Sequence, residues 1–227
     1  MISKKKLSFV DLFCGAGGLS LPFKLRNHKL ILALDNDKNC ISTLKHNFRY
    51  DKTKFLNGDI KNFLNKKNYF KNNNLDLLMG GPPCQGFSTA NRQNIINDPR
   101  NELYKYFIKF AQYSKPKFIL IENVIGIKSK ASDIIAKLDE IGYLADYKVL
   151  QASDFGIPQN RKRVFFFAIQ KNKKKLLIEN FFTILEEHKK NLKKYFLKDA
   201  LYGLRPLKPK KYKNDRNNEY FESGFNI

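Results

Sequence analysis

An α/β fold on a doubly wound, mostly parallel sheet is what this sequence predicts, on three observations. Apolar runs of strand length recur at residues 7–12, 30–34, 75–79, 117–121 and 164–169. Stretches with helical apolar spacing lie between them. Glycines, prolines, acids and a cysteine follow the runs, so the reactive groups collect at strand ends, where open α/β sheets bind ligands. The chain has 227 residues, 42% of them apolar with 20 phenylalanines, enough to bury a substantial core.

The first run feeds Phe13-Cys14-Gly15-Ala16-Gly17-Gly18, a glycine-rich turn, and a helix is expected from Leu19. The second run ends in Asp35. A strand, a glycine turn, a helix and a second strand closed by an acid suit a nucleoside. The glycines admit the ligand to the backbone, and the carboxylate accepts hydrogen bonds from ribose hydroxyls. A dinucleotide fingerprint would put a third glycine at position 20, which is Ser20. The shorter turn fits S-adenosylmethionine, which has no pyrophosphate to cradle. The plain alternative is a tight turn with an incidental acid. Cys40, Ile41, Leu44 and Phe48 then form a helical stripe. Asp59 follows Gly58 at the next strand end, where it can receive an exocyclic amine such as that of adenine, or cap a helix. Residues 61–74, rich in Lys and Asn, read as a solvated helix and loop.

The central run at 75–79 leads into Gly80-Gly81-Pro82-Pro83-Cys84-Gln85-Gly86-Phe87-Ser88. Two glycines turn the chain, two prolines stiffen it, and a cysteine stands at the tip. That is a nucleophile's placement, although a cysteine in a turn is often only a small buried hydrophobe. Residues 89–100 are polar without periodicity and read as a loop able to close over a ligand, or as a surface excursion. A helix with Leu103, Tyr106, Phe107, Phe110 and Ala111 on one face precedes the strand at 117–121, which ends in Glu122-Asn123-Val124. In a parallel sheet Glu122 shares a rim with Cys84; alone it reads equally as a cap or a solvated acid. Ile134, Ile135, Leu138 and Ile141 mark another helix, residues 147–150 a strand and 154–158 a loop. Arg161 and Arg163, two apart at the mouth of the strand at 164–169, point to one side. They can aim at one target or act as charged gatekeepers of an apolar strand.

The formal net charge of +22 points to a polyanionic partner, although a lysine-rich, AT-biased coding sequence adds to it. The three cysteines, Cys14, Cys40 and Cys84, form no C-x-x-C pair, which argues against a disulfide framework or a zinc site. No apolar run reaches the roughly 20 residues that span a bilayer. A cytoplasmic protein is expected, with no metal and no membrane partner.

Together, Asp11-Leu12-Phe13-Cys14-Gly15-Ala16-Gly17-Gly18, Pro82-Pro83-Cys84-Gln85-Gly86-Phe87-Ser88, Glu122-Asn123-Val124 and Gln159-x-Arg161-x-Arg163 resemble, in order and spacing, the motifs of the DNA (cytosine-5) methyltransferase family. The resemblance covers about residues 7–170, with a fainter echo at 197–207. It implies the Rossmann-like sheet of S-adenosylmethionine-dependent methyltransferases and methyl transfer to C5 of cytosine in a flipped-out base of double-stranded DNA. It implies Cys84 as the nucleophile on C6, Glu122 as the acid that holds and protonates N3, and Arg163 with Arg161 as contacts to the base O2 that support the thiolate. Phe13, Gly15, Gly17, Asp35, Asp59, Pro83 and Leu103 fall where the family lines its cofactor pocket, and residues 89–100 match its catalytic loop.

The resemblance divides the chain into a catalytic domain, residues 1–170, and a basic extension, 171–227, that starts an incomplete target-recognition region. The extension carries 15 Lys and Arg against 7 Asp and Glu, on a broken apolar pattern. The family's recognition domain and its C-terminal motifs are not found in it. A second chain supplying them, a truncated form and a fragment of a longer chain are the three explanations left open. A tRNA cytosine-5 methyltransferase and an inactive DNA-binding fragment remain as alternative functions. Pairing with a restriction enzyme is common for bacterial members of the family.

Overall fold

The computed structural model describes residues 6–48, 52–64, 74–83, 102–172 and 176–203. Seven strands form its sheet: β1 (Ser8–Leu12), β2 (Lys29–Asp35), β3 (Lys54–Asn57), β4 (Leu77–Gly80), β5 (Phe118–Asn123), β6 (Tyr143–Gln151) and β7 (Lys162–Gln170). They lie in the order β3-β2-β1-β4-β5-β7-β6. The first five pair in parallel, and β7 inserts antiparallel between β5 and β6. The expected α/β, mostly parallel, doubly wound architecture is therefore present. The order reverses direction beside β1, which places a topological switch point between β1 and β4.

Period-two alternation sorts the strand residues onto two faces. Val10, Leu12, Leu78, Ile119 and Ile121 belong to a core covered by α3 (Ile60–Leu64), α4 (Leu103–Ser114) and α5 (Ala131–Glu140). Phe9, Ala33, Leu77 and Met79 face the other way, against Ile41 and Leu44 of α2 (Lys38–Asn47) and against Phe48. Asp37 starts α2 by accepting from the backbone N–H of Asn39 at 2.7 Å and of Cys40 at 3.3 Å. The helix expected from Leu19 is the five-residue α1 (Leu21–Leu25), with a proline in its first turn.

Past residue 170 the sequence suggests a broken apolar pattern. The structure has instead a 15-residue helix, α6 (Leu176–Lys190), and a short α7 (Leu197–Leu201). Ile178 and Phe182 of α6 are buried with Phe167 and Ile169 of β7, and Phe181 stacks on Phe167 at 3.9 Å between ring centroids. The apolar residues of α6 are legible one by one. Their partner, the outer face of β7, is fixed only by the sheet order.

Gly80 shows how tightly the centre is built. A Cβ there would lie 2.1 Å from the Leu12 carbonyl oxygen, so the close approach of β4 to β1 requires glycine. Among the described residues no helix is long and apolar enough to cross a membrane.

Candidate active site at the carboxyl rim of the sheet

The register brings the strand ends level. Leu12 pairs with Gly80, Gly80 with Ile121, and Glu122 lies opposite Phe165. Directly opposed residues point to the same face, and so does every second residue along a strand. Glu122, Phe165 and Arg163 are therefore on one side, at the top of the sheet. Nε of Arg163 is 3.1 Å from Glu122 Oε1, and a terminal nitrogen of Arg161 is 3.6 Å from the same oxygen. The loop between β6 and β7 is held for this by Ala152 N–H donating to the Arg161 carbonyl at 2.8 Å and by Gln151 Nε2 donating to Asn160 Oδ1 at 3.1 Å. On the other side of Glu122 is Gly81, where a Cβ would sit 3.4 Å from Oε2. Asn123 is buried, and its Nδ2 donates to the Pro82 carbonyl at 2.8 Å, which ties the end of β5 to the Gly-Pro-Pro turn.

The glycine-rich turn after β1 is fixed from two directions. Gly15 N–H donates to Asp35 Oδ2 at 2.8 Å, and Asp37 N–H donates to Asp35 Oδ1 at 2.9 Å. Within the turn, Phe13 has φ +58°, a conformation rare for a bulky side chain and found where function over-determines the backbone. Gly17, at φ +92°, is buried, and a Cβ on it would come 2.2 Å from Leu44 Cδ1.

Two concavities meet at Phe13. The larger is a cleft of 760 Å³ whose walls include Gly15, Gly81, Glu122, Arg161 and Arg163. The smaller, 50 Å³, is a slot between Phe13, Asp35, Gly58, Asp59, Pro83 and Leu103. So five of the seven residues expected to bind the cofactor share the slot, a sixth, Gly15, lines the cleft, and Gly17 lines neither. The slot offers apolar surface, two carboxylates as acceptors and no cation among its lining residues, and its 50 Å³ takes in only part of a nucleoside. A pyrophosphate would meet two negative charges there, which disfavours a dinucleotide on electrostatic grounds. Asp59 also accepts from Lys61 N–H at 2.8 Å, so its capping role is present beside any role in the slot.

Cys84 and the loop at 89–100 lie outside the described residues. Neither described cysteine suits a nucleophile. Burial pushes the Cys14 thiol up, with Asp11 and Asp35 adding to the effect. Burial likewise raises Cys40, helped by Asp37 and Asp35. A thiol kept protonated is a poor attacking group.

Asp11 is a cleft residue that sequence reasoning missed. It is fully buried, lines the cleft and accepts from Ser20 Oγ through Oδ2 at 2.5 Å, while Oδ1 has no hydrogen-bond partner among the described residues. Burial pushes its carboxyl up to about 7, against the Ser20 hydrogen bond and helped by the Asp35 charge. The residue that breaks the dinucleotide fingerprint, Ser20, is thus the one that ties the turn to the strand. The only signal in the sequence is an acid inside a strand of apolar residues.

The family described as C-5 cytosine-specific DNA methylase matches residues 7–223. The Type II methyltransferase M.FnuDI of Fusobacterium nucleatum is 36% identical over 220 residues, which is 93% of this chain and 60% of that protein. M.NgoPII of Neisseria gonorrhoeae is 31% identical, over 96% of this chain and 65% of its own. A crystal structure of a prophage-encoded DNA modification methyltransferase of E. coli superposes with a TM-score of 0.71 at 32% identity, covering 89% of this chain and 56% of that one. The chain spans about half the length of the curated relatives it matches, 60% of M.FnuDI and 47% of M.DdeI.

Proposed function

Because this chain belongs to the C-5 cytosine-specific DNA methylase family, we propose that it transfers a methyl group from S-adenosylmethionine to C5 of cytosine in duplex DNA. The observation that carries the proposal is the convergence of Glu122, Arg161 and Arg163 on a cleft that is also lined by Gly81, three residues before Cys84. A pyrimidine entering between the acid and the guanidiniums presents N3 to Glu122 and O2 to the arginines.

In this reading Sγ of Cys84 adds to C6, and Glu122 supplies a proton at N3, so that electron density collects at C5. The arginines hold the Glu122 carboxylate until the base arrives and then share themselves with O2. Their positive field also favours thiolate over thiol at Cys84. After methylation a base removes the C5 proton, Sγ leaves as thiolate, and the N3 proton returns to Glu122. The bound cofactor supplies an electrophilic methyl group on a sulfonium. Asp35 would hold its ribose hydroxyls, Asp59 its exocyclic amine, and Phe13, Pro83 and Leu103 the faces of its base. The target base reaches the cleft only by leaving the duplex stack, at a cost of a few kcal/mol.

The test is transfer of labelled methyl from S-adenosylmethionine to mixed-sequence duplex DNA and to tRNA. It is run with the chain alone and with the remaining segment of a relative such as M.FnuDI added, with Cys84→Ser as control. Cys84-dependent label in duplex DNA is expected. Label that is indifferent to Cys84, or label in tRNA alone, overturns the proposal.

A further inference from the structure

A strip beside the cleft is used by neither the base-facing residues nor the slot. Between α6 and the end of α7 the chain exposes Tyr195, Phe196, Leu197 and Tyr202, at 46, 64, 61 and 91% of their surface. Large apolar groups exposed in succession mark an interaction surface rather than ordinary scatter. Lysines alternate with the rings. Nζ of Lys193 lies 5.2 Å from the centroid of Tyr195, and Nζ of Lys198 lies 5.9 Å from that of Phe196. Lys194 is exposed between them. The one acid in residues 193–202 is Asp199, and it is engaged on the backbone, accepting from Phe196 N–H at 2.7 Å.

The strip is anchored to the site. The Lys193 carbonyl oxygen is 3.1 Å, and the Tyr195 ring 3.9 Å, from where a Cβ on Gly156 would sit. Gly156 lies between Phe155 and Ile157, which both line the cleft. Nζ of Lys189, at the end of α6, pairs with Asp154 of the same loop at 2.8 Å. The rings are thereby held at the border of the cavity that contains Glu122 and the arginines.

We infer that this strip is a second nucleic-acid contact, in which Lys193, Lys194 and Lys198 engage backbone phosphates and the rings of Tyr195 and Phe196 stack on an unpaired base. The inference rests on the reading that the chain acts on DNA, and it adds a surface to that reading. Its warrant is the combination: lysines are depleted from the cores of protein–protein interfaces, whereas rings alternating with cations are the recurrent device for gripping a strand with unstacked bases. A target base taken out of the duplex leaves such bases next to the cleft.

The test measures binding of a labelled duplex and of the same duplex with a short single-stranded gap, across a range of salt concentrations. Wild type is compared with a Lys193→Gln, Lys194→Gln, Lys198→Gln triple variant and a Tyr195→Ala, Phe196→Ala double variant. Lys171→Gln, at the opposite end of β7, serves as control. The triple variant is expected to flatten the log–log salt slope by about 0.9 for each phosphate it no longer neutralises. The ring variant is expected to keep the slope and bind the gapped DNA about tenfold more weakly, with a smaller drop on the intact duplex. Wild-type binding with both variants unchanged overturns the strip and leaves the proposed function standing. Failure of wild type to bind either DNA overturns the strip, and the proposed function then stands or falls on Cys84-dependent methyl transfer. Rings whose removal abolishes self-association by sedimentation, with DNA binding intact, would make the strip a protein-docking face instead.

Discussion

The central strands carry an acid paired with a basic residue at each end, and the two pairings are built differently. At the floor, Asp76 just before β4 meets Lys117 just before β5, with Oδ1 to Nζ at 2.6 Å. Ser8 donates to Oδ2 from its backbone N–H at 2.9 Å and from Oγ at 3.0 Å. Burial works against the charge on Asp76, yet the hydrogen bonds from Lys117 and Ser8 outweigh it and hold the carboxyl below its usual range. At the rim, Glu122 meets Arg161 and Arg163, two cations on one carboxylate, and a cleft opens beside them. The floor pair is saturated and closes the fold. The rim pair has a cation in excess and a cavity to direct it into, which is how a site differs from a rivet.

Substitution separates the two most sharply at the acids. Glu122→Gln should lower methyl transfer by about a thousandfold, the scale of a missing general acid, while the melting temperature moves little. Asp76→Asn should do the opposite. Breaking this part-buried, hydrogen-bonded pair should cost about 1–3 kcal/mol in urea unfolding, and the molecules that remain folded should transfer at the normal rate.

The two adjacent glycines extend the contrast. Gly80→Ala puts a methyl group into the Leu12 carbonyl and should cost about 1–3 kcal/mol of stability, read by denaturant midpoint. Among the described residues, Gly81→Ala meets Glu122 alone and at ordinary contact distance, so it should spare the fold and show in activity. Arg163→Lys should reduce transfer about tenfold, since a point charge cannot reproduce the guanidinium fork. Arg161→Lys, the longer contact, should cost less; the reverse order would show that Arg161 is the main partner of the base.

The mildest prediction concerns Asp11. Its carboxyl keeps a proton up to about 7 in the folded chain but gives it up near its ordinary 3.8 when unfolded. Between those values the folded state binds more protons, so this group's contribution to stability falls as pH rises and is flat above about 7. Asp11→Asn should remove that slope from a pH series of melting curves. An unchanged slope would show that Asp11 is ionised in the folded chain.

Much of this is readable in the sequence because it is local. A strand, its terminal acid and the glycine turn after it are contiguous, so spacing alone places Asp35, Glu122 and the pair of arginines on strand ends. What cannot be read depends on residues far apart in the chain. β7 lies between β5 and β6, although β6 precedes it in sequence. The Asp11–Ser20 tie is invisible until burial removes water from the carboxylate. Gly17, read as a pocket residue, proves to be where Leu44 packs, because a glycine needed for close approach and one needed for ligand access look alike in a sequence.

The antiparallel insertion of β7 has a consequence for how such a chain can change over time. The slot is assembled from residues between the end of β1 and the start of α4, around strands that pair in parallel. Arg161 and Arg163 instead arrive on the descending arm of a hairpin, whose tip at residues 152–161 is tied back on itself by the Ala152–Arg161 backbone bond and to α6 by the Lys189–Asp154 pair. A change of length there would have to keep both ties to leave the arginines on Glu122, whereas the strands that carry the slot would not feel it. The hairpin tip therefore governs the cleft first and the slot least.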